Sequence, residues 1–235
     1  MKSIGSFSKW IACGVAAASF FVASSAEAAG VGRAVVRAIR GTAEYSVQGG
    51  QWSTLTVGKA LGPTSSVKTG VNSQVDLFLG ENGPTVRLLA DTTLGLDKLN
   101  IDRTGVDVVI ETFLDLKTGT IQGNVKTLAA ASKYEVKTPF TVCAIKGTEY
   151  QISADGTVSV LKGSVIVAYA GARTQTVNAG QTFIPPAQPT GQPTVRPSRP
   201  DEVPPSVPVT FPEPPPPAPV TAPPPVEFVS PGTGK

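Results

Sequence analysis

The stretch 106–116 reads VDVVIETFLDL, and most of its apolar residues fall on every second position. This spacing is typical of a β-strand that buries one face. The same alternation recurs at residues 75–79, 158–160 and 165–169, and glycine-rich turns separate the runs. The sequence therefore predicts an all-β fold of about twelve short strands.

Two Asx-Gly pairs, Asn82-Gly83 and Asp155-Gly156, mark the strongest turns. Both residues of such a pair tolerate positive φ, so type I′ hairpin turns are predicted there. A weak internal echo links Val67-Lys68-Thr69-Gly70 to Val136-Lys137-Thr138-Pro139. Such echoes favour stacked hairpin-like units in a β-solenoid or roll, although their period is not constant and a compact sandwich stays open.

The N-terminal residues have the pattern of a secretory signal. Lys2 and Lys9 precede an uncharged apolar run, and Ala26-Glu27-Ala28 fits the small-x-small cleavage pattern. We therefore expect residues 1–28 to be a signal peptide that directs export to the periplasm or the cell surface. The apolar run is shorter than the roughly 20 residues of a membrane-spanning helix, so no span is expected in the mature chain.

The C-terminal residues differ from the middle of the chain, because 19 of the 22 prolines lie in residues 185–235. Proline fixes φ and lacks an amide donor, so this segment is predicted to be a disordered tail of polyproline II character without helix or sheet. It would serve as a spacer or as a ligand for an aromatic groove. Residues 29–184 are then the folded domain.

The composition excludes several kinds of site. The chain has no histidine and two cysteines, which excludes histidine-dependent catalysis, histidine-ligated metals and cysteine-rich metal centres. Its net charge is only +3, and no basic patch with interleaved aromatics indicates nucleic-acid binding. No cofactor or metal is expected, and the oligomeric state is left open.

A few residues stand out as candidates for chemistry or binding. Trp52 follows two glycines, where it is either an exposed binding platform or a staple of the first hairpin to the core. The turn at Asn82 and Gly83 is a second candidate interaction site. Cys143 lies in an apolar run and is predicted to be a buried, unreactive thiol, with an intermolecular disulfide as the alternative.

An acidic stretch offers the one enzymatic alternative, a carboxylate-dependent carbohydrate-active enzyme. Two of its carboxylates would have to meet in one cleft to act as an acid–base pair. Because lysines and arginines are interspersed, a solvated outer face is the simpler interpretation. The stretch comprises Asp91, Asp97, Asp102, Asp107, Glu111 and Asp115.

Several motifs follow one another in a fixed order along the middle of the chain. They are Trp52-x-x-Leu55-x-Val57-Gly58, Val67-Lys68-Thr69-Gly70-x-x-Ser73, Val136-Lys137-Thr138-Pro139, Ile145-Lys146-Gly147-Thr148-Glu149-Tyr150 and Val177-x-Ala179-Gly180-Gln181. Together they resemble the FecR domain family over residues 35–183. The resemblance implies structural roles for the motif residues Gly58, Thr69, Gly70, Thr138, Pro139, Gly147, Thr148, Tyr150 and Gly180.

The resemblance also implies an extracytoplasmic sensing or interaction module in a bacterial signalling context. Regulatory members carry an anti-sigma segment and a membrane helix ahead of the domain, whereas this sequence has a predicted signal peptide, so control of a sigma factor is not implied. We expect a non-catalytic module that binds an envelope protein or a cell-wall glycan. A self-assembling structural envelope protein is the alternative.

Overall fold

The computed structural model describes residues 30–188, 190–200 and 202. Within them the chain is all-β, with nineteen strands in two sheets and a single 3₁₀ turn at Gly80–Asn82. The predicted fold class is confirmed, but the predicted number of strands is too low, because turns divide many of the apolar runs. No helix in these described residues has the length and apolar character to cross a membrane. The predicted signal peptide and residues 203–235 lie outside the described part.

Most strands have two to seven residues, and only two reach ten. In chain order they are β1 (Gly30–Val31), β2 (Ala34–Arg40), β3 (Ala43–Val47), β4 (Ser53–Thr54), β5 (Ala60–Leu61), β6 (Ser65–Thr69), β7 (Gln74–Phe78), β8 (Thr85–Leu88), β9 (Thr93–Asp102), β10 (Val109–Thr118), β11 (Thr120–Asn124), β12 (Lys133–Lys137), β13 (Thr141–Ile145), β14 (Glu149–Ser153), β15 (Val158–Lys162), β16 (Ser164–Tyr169), β17 (Arg173–Asn178), β18 (Gln181–Ile184) and β19 (Thr194–Pro197).

The two sheets share the chain in alternation. The ten-stranded sheet has the order β17-β16-β13-β12-β10-β9-β6-β3-β4, with β1 paired to β9. The nine-stranded sheet has the order β19-β18-β15-β14-β11-β8-β7-β2-β5. Successive hairpins fall in opposite sheets: β14–β15 in the nine-stranded sheet, β16–β17 in the ten-stranded sheet and β18–β19 in the nine-stranded sheet again. The C-terminal strands therefore form one end of both sheets.

The core lies between the two sheets and follows the period of two. In β10, Ile110, Leu114 and Leu116 are buried while Glu111 and Asp115 are not. Each such aliphatic side chain contributes about 1.5–3 kcal/mol when fully buried. The predicted parity holds from Ile110 onward, but β10 begins only at Val109, and the residues before it are exposed.

The late start of β10 has a local cause. The Asp102 carboxylate accepts hydrogen bonds from the backbone amide and the hydroxyl of Thr104, at 2.9 and 2.7 Å. An aspartate that bonds the backbone two residues on favours a turn over a strand. Val106 therefore lies in the connection between β9 and β10, where it is fully exposed.

Both predicted type I′ turns are wrong, because neither Asn82 nor Asp155 has positive φ. Asn82 ends the 3₁₀ turn between β7 and β8. In the β14–β15 hairpin the Gly156 amide donates to the Ser153 carbonyl at 2.9 Å, and Gly156 has a φ of 88°. This is the pattern of a three-residue hairpin loop with a glycine bulge.

A polar row crosses the outer face of the nine-stranded sheet. Asp76 on β7 lies opposite Arg87 on β8, which lies opposite Gln122 on β11 and then Gln151 on β14. The Arg87 guanidinium donates two hydrogen bonds to the Asp76 carboxylate, at 2.7 and 3.0 Å. The Gln122 amide donates to Gln151 Oε1 at 2.9 Å. Asp76 is only 5% exposed, so its carboxylate contacts little water and Arg87 is its principal partner.

The prediction that no sheet forms after Ile184 is wrong for Thr194–Pro197. This segment, β19, pairs antiparallel with β18 and ends at a proline, which an edge strand tolerates. The Ser198 amide donates to the Gly180 carbonyl at 2.8 Å, and Arg196 Nη1 donates to Glu202 at 2.7 Å. The hydrogen bonds from Arg196 are the main reason why the pKa of Glu202 falls to about 2. Ordered structure thus extends past the predicted domain boundary.

Candidate functional site

Trp52 lies in the β3–β4 hairpin, directly before β4, and its side chain is 43% exposed. It is therefore no part of the buried core between the sheets. Of the two sequence interpretations, this position favours an exposed platform over a staple. One exposed tryptophan does not by itself define a site.

Asn82 and Gly83 do not form an accessible interaction site. Asn82 is fully buried, and its amide donates to the Asn100 carbonyl at 2.9 Å and to the Thr112 hydroxyl at 3.1 Å. A Cβ at Gly83 would lie 2.4 Å from Tyr134 Cε2, so the ring leaves room only for glycine. This turn is a packing element, and the burial of both residues does not favour the predicted interaction site.

Two family-motif threonines tie turns together. The Thr69 hydroxyl donates to the Leu89 carbonyl at 2.6 Å and accepts from the Thr92 amide at 2.9 Å, and Gly70 follows at the end of β6. The Thr138 hydroxyl accepts from the Thr141 amide at 2.9 Å, across the turn that contains Pro139. Buried backbone amides need such partners where the ladder of a sheet ends.

The motif around Gly147 and Thr148 also joins two backbone segments at a turn. Gly147 has a φ of 70°, and a Cβ at Gly163 would meet the Gly147 carbonyl oxygen at 2.4 Å. The Thr148 hydroxyl donates to the Ser164 carbonyl at 2.9 Å. Glycine is required where two backbone segments approach this closely.

The remaining motif residues are a buried tyrosine and two turn glycines. Tyr150 is fully buried, and its hydroxyl lies 3.1 Å from that of Tyr134. Gly58 and Gly180 have φ values of 84° and 77° and face open space, so their backbone conformation, not close packing, favours glycine.

The acidic stretch is divided between strands and connections. Asp97, Asp102, Glu111 and Asp115 lie on β9 and β10 of the ten-stranded sheet, and Asp91 and Asp107 lie in the connections. Glu111 pairs with Lys98 at 2.6 Å, while Asp102 bonds to the nearby Thr104. Burial raises the pKa of Asp97, and the neighbouring Asp115 raises it further. Within the described residues no three acidic, cysteine or histidine side chains form a group that could hold a metal. The stretch thus holds one ion pair, between Glu111 and Lys98, and one pair of neighbouring carboxylates, Asp97 and Asp115. The carbohydrate-active alternative stays a prediction.

Cys143 on β13 is fully buried, and burial raises the pKa of its thiol to about 12. A thiol that stays protonated and covered is a poor nucleophile. We expect Cys143 of the native protein to react with iodoacetamide at pH 8 at least about 100-fold more slowly than in urea. Mass spectrometry of the alkylated protein over time measures both rates, and fast labelling of the native protein would contradict the buried position.

An apolar cavity of about 670 Å³ opens at the end of the two sheets where β13 and β15 begin and β16 and β18 end. We call it the apolar end cavity. Three turns and the chain after β18 enclose it, and it is lined mainly by Pro139, Phe140, Asp155, Tyr169, Ile184 and Pro185. The Phe140 side chain is 64% exposed.

The rim of this cavity holds strained backbone. Ala170 and Ala172, in the turn between β16 and β17, have φ values of 45° and 107°. Positive φ is costly for a residue with a Cβ and concentrates at functional sites, at about 1–3 kcal/mol for each residue. No sequence motif pointed to this region. The sequence does hold one signal there, an aromatic residue, Phe140, between Pro139 and the start of β13.

The edge of the ten-stranded sheet next to this cavity is a second surface. β17 has six residues and pairs with β16 only, so its other side has no strand partner within the described residues. Beside it, apolar side chains on β13 and β16 form a strip in two cross-strand rows, Val142 opposite Ala168 and Ala144 opposite Ile166. All four are exposed except Ala168, which is half-buried. We call these four residues the apolar strip.

Comparison with known proteins shows what the central region is similar to. Residues 65–166 match the model of the FecR family, described as FecR protein. None of the curated proteins matches the chain. Two crystal structures of a candidate anti-sigma factor from Parabacteroides distasonis ATCC 8503, at 1.65 and 2.50 Å resolution, are similar at 14% and 15% identity, with TM-scores of 0.45 and 0.44.

The alignment to each of these structures covers 56% of this chain and 59% of the solved one. At this distance the likeness says nothing about activity or partners. The family match falls within the range over which the sequence motifs resemble FecR domains, and it includes both threonine turns and the Gly147-Thr148 motif. Residues 65–166 of this chain are therefore similar to the FecR family over the same region that carries the sequence motifs.

Proposed function

We propose that this protein is an exported, non-catalytic FecR-like interaction module of the bacterial cell envelope, which binds an extended segment of an envelope protein at β17. The observation that carries the proposal is the length and exposure of this edge strand. The FecR match supports a sensing or regulatory context. The predicted signal peptide supports export.

The four edges of the two sheets differ in their ability to accept another strand. β4 and β5 have two residues each, and β19 has four and ends in Pro197. Proline and short length are devices that stop an edge from pairing further. β17 has six residues without proline. An extended peptide gains enough backbone hydrogen bonds for binding only at β17.

The outer face beside β17 offers side-chain contacts to such a peptide. Thr174 on β17 lies opposite Ala168, and Thr176 lies opposite Ile166. An added strand would place alternate side chains beside Thr174 and Thr176, and long side chains would extend over these threonines to the apolar strip, whose nearer row of residues on β16 is about 10 Å from the added strand. Apolar side chains offer a sugar few hydrogen-bond partners, so the surface favours a protein segment over a cell-wall glycan.

The alternation of hairpins between the sheets also supports the solenoid- or roll-like arrangement suggested by the sequence echoes. Such an architecture grows along one axis and leaves its ends open. A terminal edge strand such as β17, which pairs with no further strand of the described residues, is then the place where a further strand would add. The same property makes pairing with a second copy the main competing outcome, as in a self-assembling structural protein.

Photo-crosslinking in the producing bacterium tests the proposal. With benzoylphenylalanine in place of the exposed Ile166, we expect an adduct with one discrete envelope protein, whose crosslinked peptide is extended. The double variant Thr174→Lys/Thr176→Lys should lower the adduct about tenfold, because charges on an edge strand oppose pairing. The matched control is Thr54→Lys/Thr56→Lys, which adds the same charges at the opposite edge and should leave the adduct unchanged.

Three results would contradict the proposal. Adducts with glycan alone would favour wall binding, and adducts only between copies of this chain would favour self-assembly. An equal loss of the adduct in both lysine variants would show that net charge, and not β17, determines capture.

A further inference from the structure

We infer that the apolar end cavity binds residues 211–217 of the same chain, Phe-Pro-Glu-Pro-Pro-Pro-Pro. The cavity, the reach of the chain and the charges around the opening carry this inference. It is independent of the partner proposed for β17.

The lining of the cavity suits a proline-rich ligand. Its volume of about 670 Å³ is in the range of small-ligand pockets. Phe140 and Tyr169 offer aromatic surface, and Pro185 and Ile184 add aliphatic surface. Grooves lined by aromatic side chains recognise the polyproline II helix, since that conformation costs a proline-rich segment little entropy.

The segment 211–217 has the matching chemistry. It is the part of residues 203–235 in which an aromatic residue directly precedes a proline and a run of four prolines follows. Phe211 can occupy the space beside Phe140 while the prolines pack on Tyr169. The only other phenylalanine in that part of the chain, Phe228, is followed by Val229 and not by proline, which makes it a matched comparison.

The point at which the described chain ends places this segment within reach. Glu202 is held against Arg196 and Thr182, on the two outermost strands of the nine-stranded sheet. Thr182 is two residues from Ile184 in the cavity wall, a distance of about 7 Å along β18. The eight residues 203–210 span up to about 25 Å as polyproline II, so Phe211 reaches the cavity easily.

Charge and tethering favour the same occupant. Lys137 lines a smaller cavity that shares Pro139 and Phe140, and Arg173 follows the strained turn at the rim. Lys137 can pair with Glu213 of the segment if the glutamate lies on this side of the opening, away from Asp155 in the cavity wall. The Arg173 guanidinium donates to the Gly191 carbonyl at 3.2 Å. A short tether holds a ligand at an effective concentration on the order of millimolar, so weak intrinsic affinity is enough for occupancy.

Intramolecular photo-crosslinking of the full mature chain tests the inference. Benzoylphenylalanine is placed at position 211 in one variant and at position 228 in the control, and equal amounts of ¹⁴N- and ¹⁵N-labelled protein are mixed before irradiation. We expect crosslinks from position 211 to peptides that contain residues 139–140, 169–171 or 184–187, within single molecules. Their yield should exceed that from position 228 about fivefold.

A cavity variant strengthens the test. Phe140→Ser should lower the yield from position 211 about fivefold, because it removes one aromatic wall. Val57→Ser, at an equally exposed residue of another turn, should not. Thermal unfolding checks that both variants fold. Crosslinks scattered over the surface, mixed-isotope crosslinks alone, or equal yields from positions 211 and 228 would each overturn the inference.

Discussion

Replacing Tyr150 by alanine is expected to lower the free energy of unfolding by about 4 kcal/mol. The ring is fully buried and packs edge-on against Tyr134, with centroids 6.5 Å apart. A Cβ at Gly123 would meet the Tyr150 ring at 2.2 Å, so the neighbouring strand is fitted to this side chain. Removal of the ring leaves a cavity that a β-sheet cannot easily close. Urea unfolding of the mature chain, followed by circular dichroism, measures the change.

The hydroxyl groups of Tyr134 and Tyr150 are expected to stabilise the fold as a hydrogen-bonded pair. Each is buried, which raises the pKa of both phenols above the usual value, and they are 3.1 Å apart. Tyr134→Phe or Tyr150→Phe alone should cost about 1–3 kcal/mol, because one buried hydroxyl loses its partner. The double variant should cost less than the sum of the two.

An exposed aromatic residue is the control for Tyr150. Phe140→Ala should change the free energy of unfolding by less than about 0.5 kcal/mol, since Phe140 lies largely outside the core. Equal losses for Tyr150→Ala and Phe140→Ala would contradict the assignment of Tyr150 to the core. Strict additivity of the two phenylalanine variants would contradict the paired hydroxyls.

The Arg87→Met variant should lose about 3–5 kcal/mol of stability. It leaves the Asp76 carboxylate buried on the sheet face without its bidentate partner, and a buried unpaired charge is costly. Arg103→Met is the matched control. Arg103 forms a 2.8 Å ion pair with Glu81, but both side chains are exposed, so the loss should be below about 1 kcal/mol.

The reciprocal variant separates the two causes of destabilisation. Asp76→Leu combined with Arg87→Met removes both charges, and its stability should recover most of the loss of the single arginine variant. Urea midpoints at constant slope measure all three proteins. A double variant as unstable as Arg87→Met would show that packing of the arginine stem, and not the unpaired carboxylate, causes the loss.

The sequence predicted the fold class because burial between two sheets imposes a period of two on strands such as β10. It did not predict how many strands there are. A strand ends where side-chain hydrogen bonds, such as those that Asp102 accepts from Thr104, replace the backbone hydrogen bonds between strands. The sequence did not predict β19, because the proline density of this segment outweighed Thr194, Val195 and Arg196, which stand between two prolines.

Most of the candidate site could not be predicted from the sequence. Asn82-Gly83 has the composition of an exposed hairpin turn, yet contacts with Asn100 and Thr112, distant in the chain, bury it. The apolar end cavity joins turns near residues 140, 155 and 170 with the chain after Ile184. Only the order of strands in the two sheets brings these segments together, and single-sequence periodicity does not encode that order.

The position of the C-terminal strands at one end of both sheets has a mechanical consequence. A pull on the chain beyond Glu202 loads β19 first, and its hydrogen bonds to β18 open one after another instead of sharing the force. The ion pair between Arg196 and Glu202 is then the first contact to yield. Release of residues 194–202 lengthens the chain by about 30 Å while the β2–β10 region stays intact. The domain would thus act as a force-limited extension between its core and whatever holds its C-terminal residues.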